Sequence, residues 1–344
     1  NNNKFMINIA EVKCFLKYII FKESPFSYLK EMFLKFLNKY LKRGNYEYYP
    51  DEFKKILDND NLIMEKKEHK EVLIKNINSI KSIFLASEHC LLSPKINWDK
   101  MFYDYEDYEA LHRFRWIRYE MSTKDRLSDK SIIFSNDMLA SWHNYHLVHN
   151  SIDNSDLAWC SHTITERISN IILFRRAHKS KDNDFIDELL ATHIKLLLTK
   201  LEIFKSGHGN HLINNARSLL IYSIIYKNTK LEKFAFRLLR YSLDDFIYND
   251  YSIDYSSHYQ LLLLFWLNDI YRISEIYNKD IYCNYLSKFI TSLKKSTLNF
   301  YIPNTQKFIF VGDISPDYPP SYLLQLIDIN YKPKYSQEKF YDNL

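Results

Sequence analysis

The sequence predicts an all-α protein of antiparallel helix pairs, arranged as a solenoid or a closed α/α toroid. Three observations predict it. Long segments place apolar residues three and four apart, the period of a helix with one inward face. Only 4 of 344 residues are glycine, and none follows Asn or Asp as hairpin turns would need, which argues against a sandwich or barrel. Short polar joints such as Lys227-Asn228-Thr229 separate successive apolar segments, and joints of that length fold neighbouring helices back on one another. No self-similar period runs through the chain, so a consensus repeat array is not expected.

The elements follow in order. Helices are predicted over 9–21 and 26–42, before a loop over 43–63 rich in Asn, Asp and Tyr. Further helices are predicted over 68–87, 104–120 and 133–148. The helix over 161–178 gathers Ile164, Ile168, Ile171 and Ile172 on one face, with Glu166, Arg167 and Asn170 elsewhere. After a helix over 183–205, the segment 211–227 repeats the pattern with Leu212, Ala216, Leu219 and Leu220. The segment 230–247 does so with Leu231, Phe234, Leu238 and Leu239. The helix over 256–276 contains the longest apolar run, Leu261 to Leu267, which is far too short to span a bilayer. No breaker flanks that run, so it reads as a buried helix rather than a strand. A last helix covers 278–296. From about Asn299 the chain turns irregular, because Pro303, Gly312, Pro316, Pro319 and Pro320 crowd together. The expected division is an N-terminal helical segment over 1–95, a helical core over 96–300 and an irregular segment over 301–344.

Composition removes several function classes. A hydrophobic share of 46% sustains a sizeable core. Gly44, Gly207, Gly209 and Gly312 form neither a Walker A loop nor a G-x-G-x-x-G turn, so a nucleotide-binding α/β fold is not expected. Cys14, Cys90, Cys160 and Cys283 lie far apart with no C-x-x-C pair, and read as free buried thiols. The 12 histidines are scattered without ligand spacing, so neither a metal nor a cofactor is expected. The net charge of +5 comes from 47 basic and 42 acidic groups. It suits an anionic partner but is too diffuse to indicate nucleic acid. No membrane span and no secretory signal is visible. The sequence opens on Asn-Asn-Asn without Met, so the expected location is periplasmic or cell-envelope for a trimmed chain and cytoplasmic otherwise.

Four clusters carry candidate chemistry. Two of the rare glycines stand in Ser206-Gly207-His208-Gly209-Asn210-His211, directly before a helix. Asn210 there reads either as an N-cap or as the start of a polar stripe with His211, Asn214 and Ser218 that presents free N–H groups to an anion. The others are Asp254-Tyr255-Ser256-Ser257-His258-Tyr259-Gln260, the charged and aromatic run 105–116, and the turn Gly312-Asp313-Ile314-Ser315-Pro316-Asp317.

Taken in order, these pieces resemble the helical domain of heparinase II/III-like polysaccharide lyases, a family that includes alginate lyases. The matching segments are INW (96–98), EDYEALHRFRW (106–116), AWCSHTITERISN (158–170), GNHLINNARSLL (209–220), DYSSHYQ (254–260) and GDISPD (312–317). The resemblance implies an incomplete α/α toroid that cleaves a uronic-acid-containing polysaccharide by β-elimination. Asn210 and His211 match the residues that neutralise the uronate carboxylate and stabilise the enolate-like intermediate. Tyr259 matches the general acid/base; a free tyrosine has a pKa of about 10, so it needs nearby positive charge to act as a base near neutrality. The same comparison nominates Arg113, Arg167, Asn214, Asp254 and His258 for substrate binding, with Trp116 and Trp159 as sugar-stacking surfaces.

This chain departs from the pattern at four positions. The family commonly has Glu at Asn214 and Asp254, His at Gln260 and Tyr at His162. Its members continue into a C-terminal β-sandwich that contributes a catalytic histidine, and 24 residues follow Pro320 here. The resemblance therefore implies a β-sandwich domain or subunit completing the site. Two alternatives stand beside it: a polysaccharide-binding or scaffold module of the same fold, and an α/α toroid glycosidase. The glycosidase would use Asp254 with Asp313 or Asp317, two carboxyls flanking the bond.

Overall fold

The computed structural model describes residues 70–117, 128–149, 156–177, 184–201, 209–248, 250–302, 304–305, 307–315, 318 and 323–327. All of them belong to one compact unit formed by Lys66–Glu202 and Gly209–Leu344. The helices predicted over 9–21 and 26–42 and the loop over 43–63 lie outside the described residues.

The described residues are mostly helical. In order come strands β1 (Lys81–Phe84) and β2 (His89–Leu92), then α1 (Tyr105–His112) and α2 (Asp129–His143), which runs on into a wider helical turn over Asn144–His149. Six long helices follow: α3 (Ser161–Ala177), α4 (Asp184–Thr199), α5 (Asn210–Ile225), α6 (Thr229–Phe246), α7 (Ser257–Ile276) and α8 (Asp280–Thr297). Short hairpins join β3 (Ile247–Tyr248) to β4 (Tyr251–Ser252) and β5 (Tyr301–Ile302) to β6 (Lys307–Phe308). Helix α3 contacts α4, α5 contacts α6 and α7 contacts α8, while α5 also lies between α3 and α7. The first helices of the three pairs thus run side by side.

Two of the three pairs share one turn. After α5, Lys227 takes φ 55° and Asn228 N–H donates to Ser223 O at 2.9 Å. After α7, Asn278 takes φ 55° and Lys279 N–H donates to Ser274 O at 2.7 Å. A left-handed residue just past the helix lets the next N–H reach back to an orphan carbonyl, and the chain reverses within three residues. Side-chain caps restart the chain at Asn228, which accepts from Leu231 N–H, and at Ser256, which accepts from Tyr259 N–H. The run Leu261 to Leu267 is wholly buried inside α7, a core helix as its length suggests.

The described part of the expected helix over 68–87, residues 70–87, corrects that expectation: it forms no helix and runs as irregular backbone into the β1–β2 hairpin. The reason is tertiary. Asp137 on α2 accepts from Lys75 N–H at 2.7 Å and Asn76 N–H at 2.8 Å, and Asn144 pairs with both the N–H and the C=O of Val72. Buried Asp107 on α1 accepts from Ala86 and Ser87 N–H at 2.8 Å and from Glu88 N–H at 3.2 Å, closing the hairpin loop. Side chains far along the sequence take the groups that a helix would have paired internally.

All five tryptophans, Trp98, Trp116, Trp142, Trp159 and Trp266, are fully buried. Among the described residues Cys90, Cys160 and Cys283 are free thiols, and no group of three or more His, Cys, Asp or Glu side chains is placed to hold a metal ion. No described helix is long and apolar enough to cross a membrane.

Candidate functional site

Three segments distant in sequence converge at the starts of α5 and α7. Gly209 is the N-cap of α5, with no side-chain cap, and Asn210 is the first helical residue. The Asn210 amide is therefore not spent on its own helix. Its Nδ2 donates to Asp254 Oδ2 at 3.2 Å, across to the segment that opens α7. The exposed ring of His211 lies beside Asp254 as well, close enough for its charge to favour the carboxylate. Burial pushes the Asp254 carboxyl up, Asp313 adds to the rise, and His211 and the Asn210 amide oppose it.

The third segment, 307–315, is stitched to the start of α7. Ser256 Oγ–H donates to Asp313 O at 2.5 Å, Ser257 N–H to Val311 O at 3.0 Å and Ser257 Oγ–H to Ile309 O at 2.9 Å. Gly312 makes the approach feasible. Its φ is +79°, and a Cβ there would lie 2.7 Å from Tyr255 O. Tyr259 stands half-buried in the first turn of α7, five residues after Asp254. An amide, an imidazole and two carboxyls thus share one neighbourhood.

The remaining nominated residues are placed differently. His258 is buried, with Nδ1 accepting from Ser315 N–H at 3.3 Å and Nε2 donating to Tyr318 O at 2.9 Å, so it pins the C-terminal segment. Arg113 is buried against Glu106 at 3.2 Å and Glu109 at 2.9 Å. Arg167 is fully buried and donates to His112 O at 3.1 Å and Ala158 O at 2.8 Å, satisfying the C-terminal carbonyl of α1. Burial pulls its pKa down to about 9. Trp116 lies between Phe114 and Phe134, and Trp159 lies against Trp142 and Arg167. Neither ring offers a face to a sugar. For these five residues the structure corrects the substrate-binding expectation: the types suit a cleft, but core packing and helix capping use the same types.

Asn214 is also buried, and so is Ser218. Beyond the exposed His211, the stripe that reads as a polar face of α5 points inward, onto α3. Asn214 Nδ2 donates to Glu166 Oε1 at 2.7 Å, Arg217 pairs with Glu166 at 3.2 Å, and Ser218 Oγ–H donates to Thr165 O at 2.9 Å. Sequence reasoning missed Glu166, Arg217 and Tyr318, whose hydroxyl bonds Glu166. The available signal was a Glu and an Arg standing among the apolar positions of α3 and α5. It also missed the contact of His162 with His211, ring centroids 4.6 Å apart. No family model, curated protein or solved structure matches this chain.

Proposed function

We propose that this chain is the helical part of a polysaccharide lyase of the heparinase II/III type, an incomplete α/α toroid acting on an acidic, uronate-containing polysaccharide. The observation that carries the reading is the Asn210–Asp254 hydrogen bond, which joins the start of α5 to the Tyr259 segment. In this reaction Asn210 and His211 bind the uronate carboxylate and spread its growing negative charge, so that the neighbouring carbon becomes acidic enough to lose a proton. Tyr259 moves that proton and returns one to the leaving oxygen. No redox or metal step is required by this sequence of proton transfers. Support comes from the order of the motifs and from the side-by-side α3, α5 and α7, each backed by its following helix, as the inner layer of a toroid would be. A β-sandwich domain or subunit would close the cleft in this reading.

Incubation with a panel of uronate glycans tests it. The expected result is a rise in ultraviolet absorbance from the unsaturated product, abolished in Tyr259→Phe with binding retained. Reducing ends without that chromophore would instead favour a glycosidase built on Asp254 and Asp313, and binding without cleavage a polysaccharide-binding module.

A further inference from the structure

Below the start of α5 runs a chain of polar contacts that the proton transfers at Asn210, His211 and Tyr259 do not use. Its deepest member is Glu166, wholly buried in the middle of α3. Glu166 Oε1 accepts from Asn214 Nδ2 at 2.7 Å and from Arg217 Nη2 at 3.2 Å, and Oε2 accepts from the Tyr318 hydroxyl. A carboxylate paired with a guanidinium can only accept, so chemistry decides which way the Asn214 amide points: its nitrogen faces Glu166. The same nitrogen lies 3.4 Å from His162 Nδ1. That Nδ1 must then be a bare acceptor, which leaves the proton of the neutral ring on Nε2. The His162 ring in turn lies against His211, with 33° between the planes.

We propose that His162 is a positioning residue for His211, locked as the Nε2–H tautomer by the buried Glu166–Asn214 pair. The inference rests on the lyase reading for the role it gives His211. The exposed His211 ring gains a fixed neighbour beneath it, which narrows the orientations it samples. The charged and titratable groups around the pair are Glu166 on α3, Arg217 on α5 with Asp269 on α7, Asp254 beside His211 with Asp313 near Asp254, and Tyr318 on Glu166. The device is a buried acid that sets the hydrogen-bond direction of an intervening amide, and so the tautomer of a ring at the site.

The test uses the full chain labelled with 15N-histidine, with the His162 signals assigned by their loss in His162→Gln. Long-range proton–nitrogen spectra are expected to show a protonated Nε2 and a bare Nδ1. The paired substitution Glu166→Gln with Asn214→Asp moves the carboxylate next to His162, where it can only accept. The expected results are a reversed tautomer and a kcat on the cleaved uronate glycan about tenfold or more lower, with KM within about twofold. An Nδ1–H ring in the unsubstituted protein overturns the lock, and a reversed tautomer with unchanged kcat overturns the positioning role. Should the paired variant lose its circular dichroism, single variants decide. His162→Leu and His162→Gln both remove the locked ring, so each is expected to lower kcat about tenfold or more with KM within about twofold, and unchanged kcat in both overturns the proposal. A protein inert toward every uronate glycan overturns the lyase reading together with the role of His162, while the spectra still decide the tautomer lock separately.

Discussion

Lowering the pH below about 6 is expected to destabilise the protein progressively through three histidines buried around Arg167, since free histidine takes its proton near pH 6.5. His112 Nδ1 accepts from Trp142 Nε1–H at 3.1 Å and its Nε2 donates to Trp98 O at 3.1 Å, so the neutral ring is saturated. His193 Nδ1 donates to Leu189 O at 2.7 Å. The Nε2 atoms of His146 and His193 are buried without a hydrogen-bond partner among the described residues. The Arg167 guanidinium lies 4.3 Å from the centre of the Trp142 ring, which both His146 and His193 also contact.

Burial first, and the Arg167 charge second, hold His146 down to about 3 and push His193 well below the ordinary range. For His112 burial leads, followed by His146 and then Arg167. These folded-state values are depressed, so the unfolded chain binds protons that the fold refuses. The stability they contribute is complete above pH 6.5 and is lost as the pH falls towards each folded value, about 3 for His146. That ring alone gives a slope of about 1.4 kcal/mol per pH unit in its window. Its loss by pH 4.5 is about 3 kcal/mol, a large part of an ordinary domain's stability of about 5–15 kcal/mol, and His112 and His193 add losses of the same sign. Urea midpoints measured from pH 7.5 to 4.5 check this, with a shallower pH dependence expected in His193→Leu. A midpoint that stays flat down to pH 5 would refute the reasoning, because the folded protein would then be accommodating the protons.

Two further outcomes follow from backbone geometry. Gly312→Ala forces a side chain into a left-handed position 2.7 Å from Tyr255 O, so a loss of roughly 1–3 kcal/mol is expected, read as a lower thermal midpoint. An unchanged midpoint would mean that 307–315 is not held against α7 as described. Asp107→Ala leaves three loop N–H groups and the Ser87 hydroxyl without their acceptor, at a cost of about 3 kcal/mol or more. Hydrogen exchange at Ala86 and Ser87 should quicken in that variant, and protection equal to the parent's would show that another acceptor closes the loop.

The helices α3 to α8 are legible in the sequence because their cores are local in pattern. Ile164, Ile168 and Ile171 are all buried, as are Leu212, Ala216, Leu219 and Leu220. Apolar spacing reports an inward face without reference to what covers it. The stretch before β1 is illegible for the opposite reason, since Asp137 and Asn144, which hold its backbone, lie 61 to 72 residues away. Within the candidate site, Asn210 and Asp254 could be nominated from residue type and order, and the structure joins them. Trp116, Trp159, Arg113, Arg167 and His258 could not be sorted in the same way. A buried Arg that caps a helix and a cleft Arg that binds a carboxylate use the same guanidinium fork.

The inward turn of the α5 polar stripe shows where periodicity stops being informative. A helix with one apolar and one polar face ordinarily sets the polar face towards water. On α5 both faces are buried, because α3 carries a matching set of polar groups. Thr165, Glu166 and Ser169 meet Asn214, Asn215, Arg217 and Ser218 in hydrogen bonds of 2.7–3.2 Å. Each group left unmatched in that interface would carry a desolvation penalty of about 1–3 kcal/mol, so the pairs hold the register of α3 against α5 more sharply than leucines would. A one-residue slip would set Glu166 against apolar side chains and strip Arg217 of its partner. That register also places His162 under His211 at the mouth of the site. The polar seam between the helices and the chemistry proposed at their ends are therefore consequences of the same alignment, and a substitution that shifts one is expected to disturb the other.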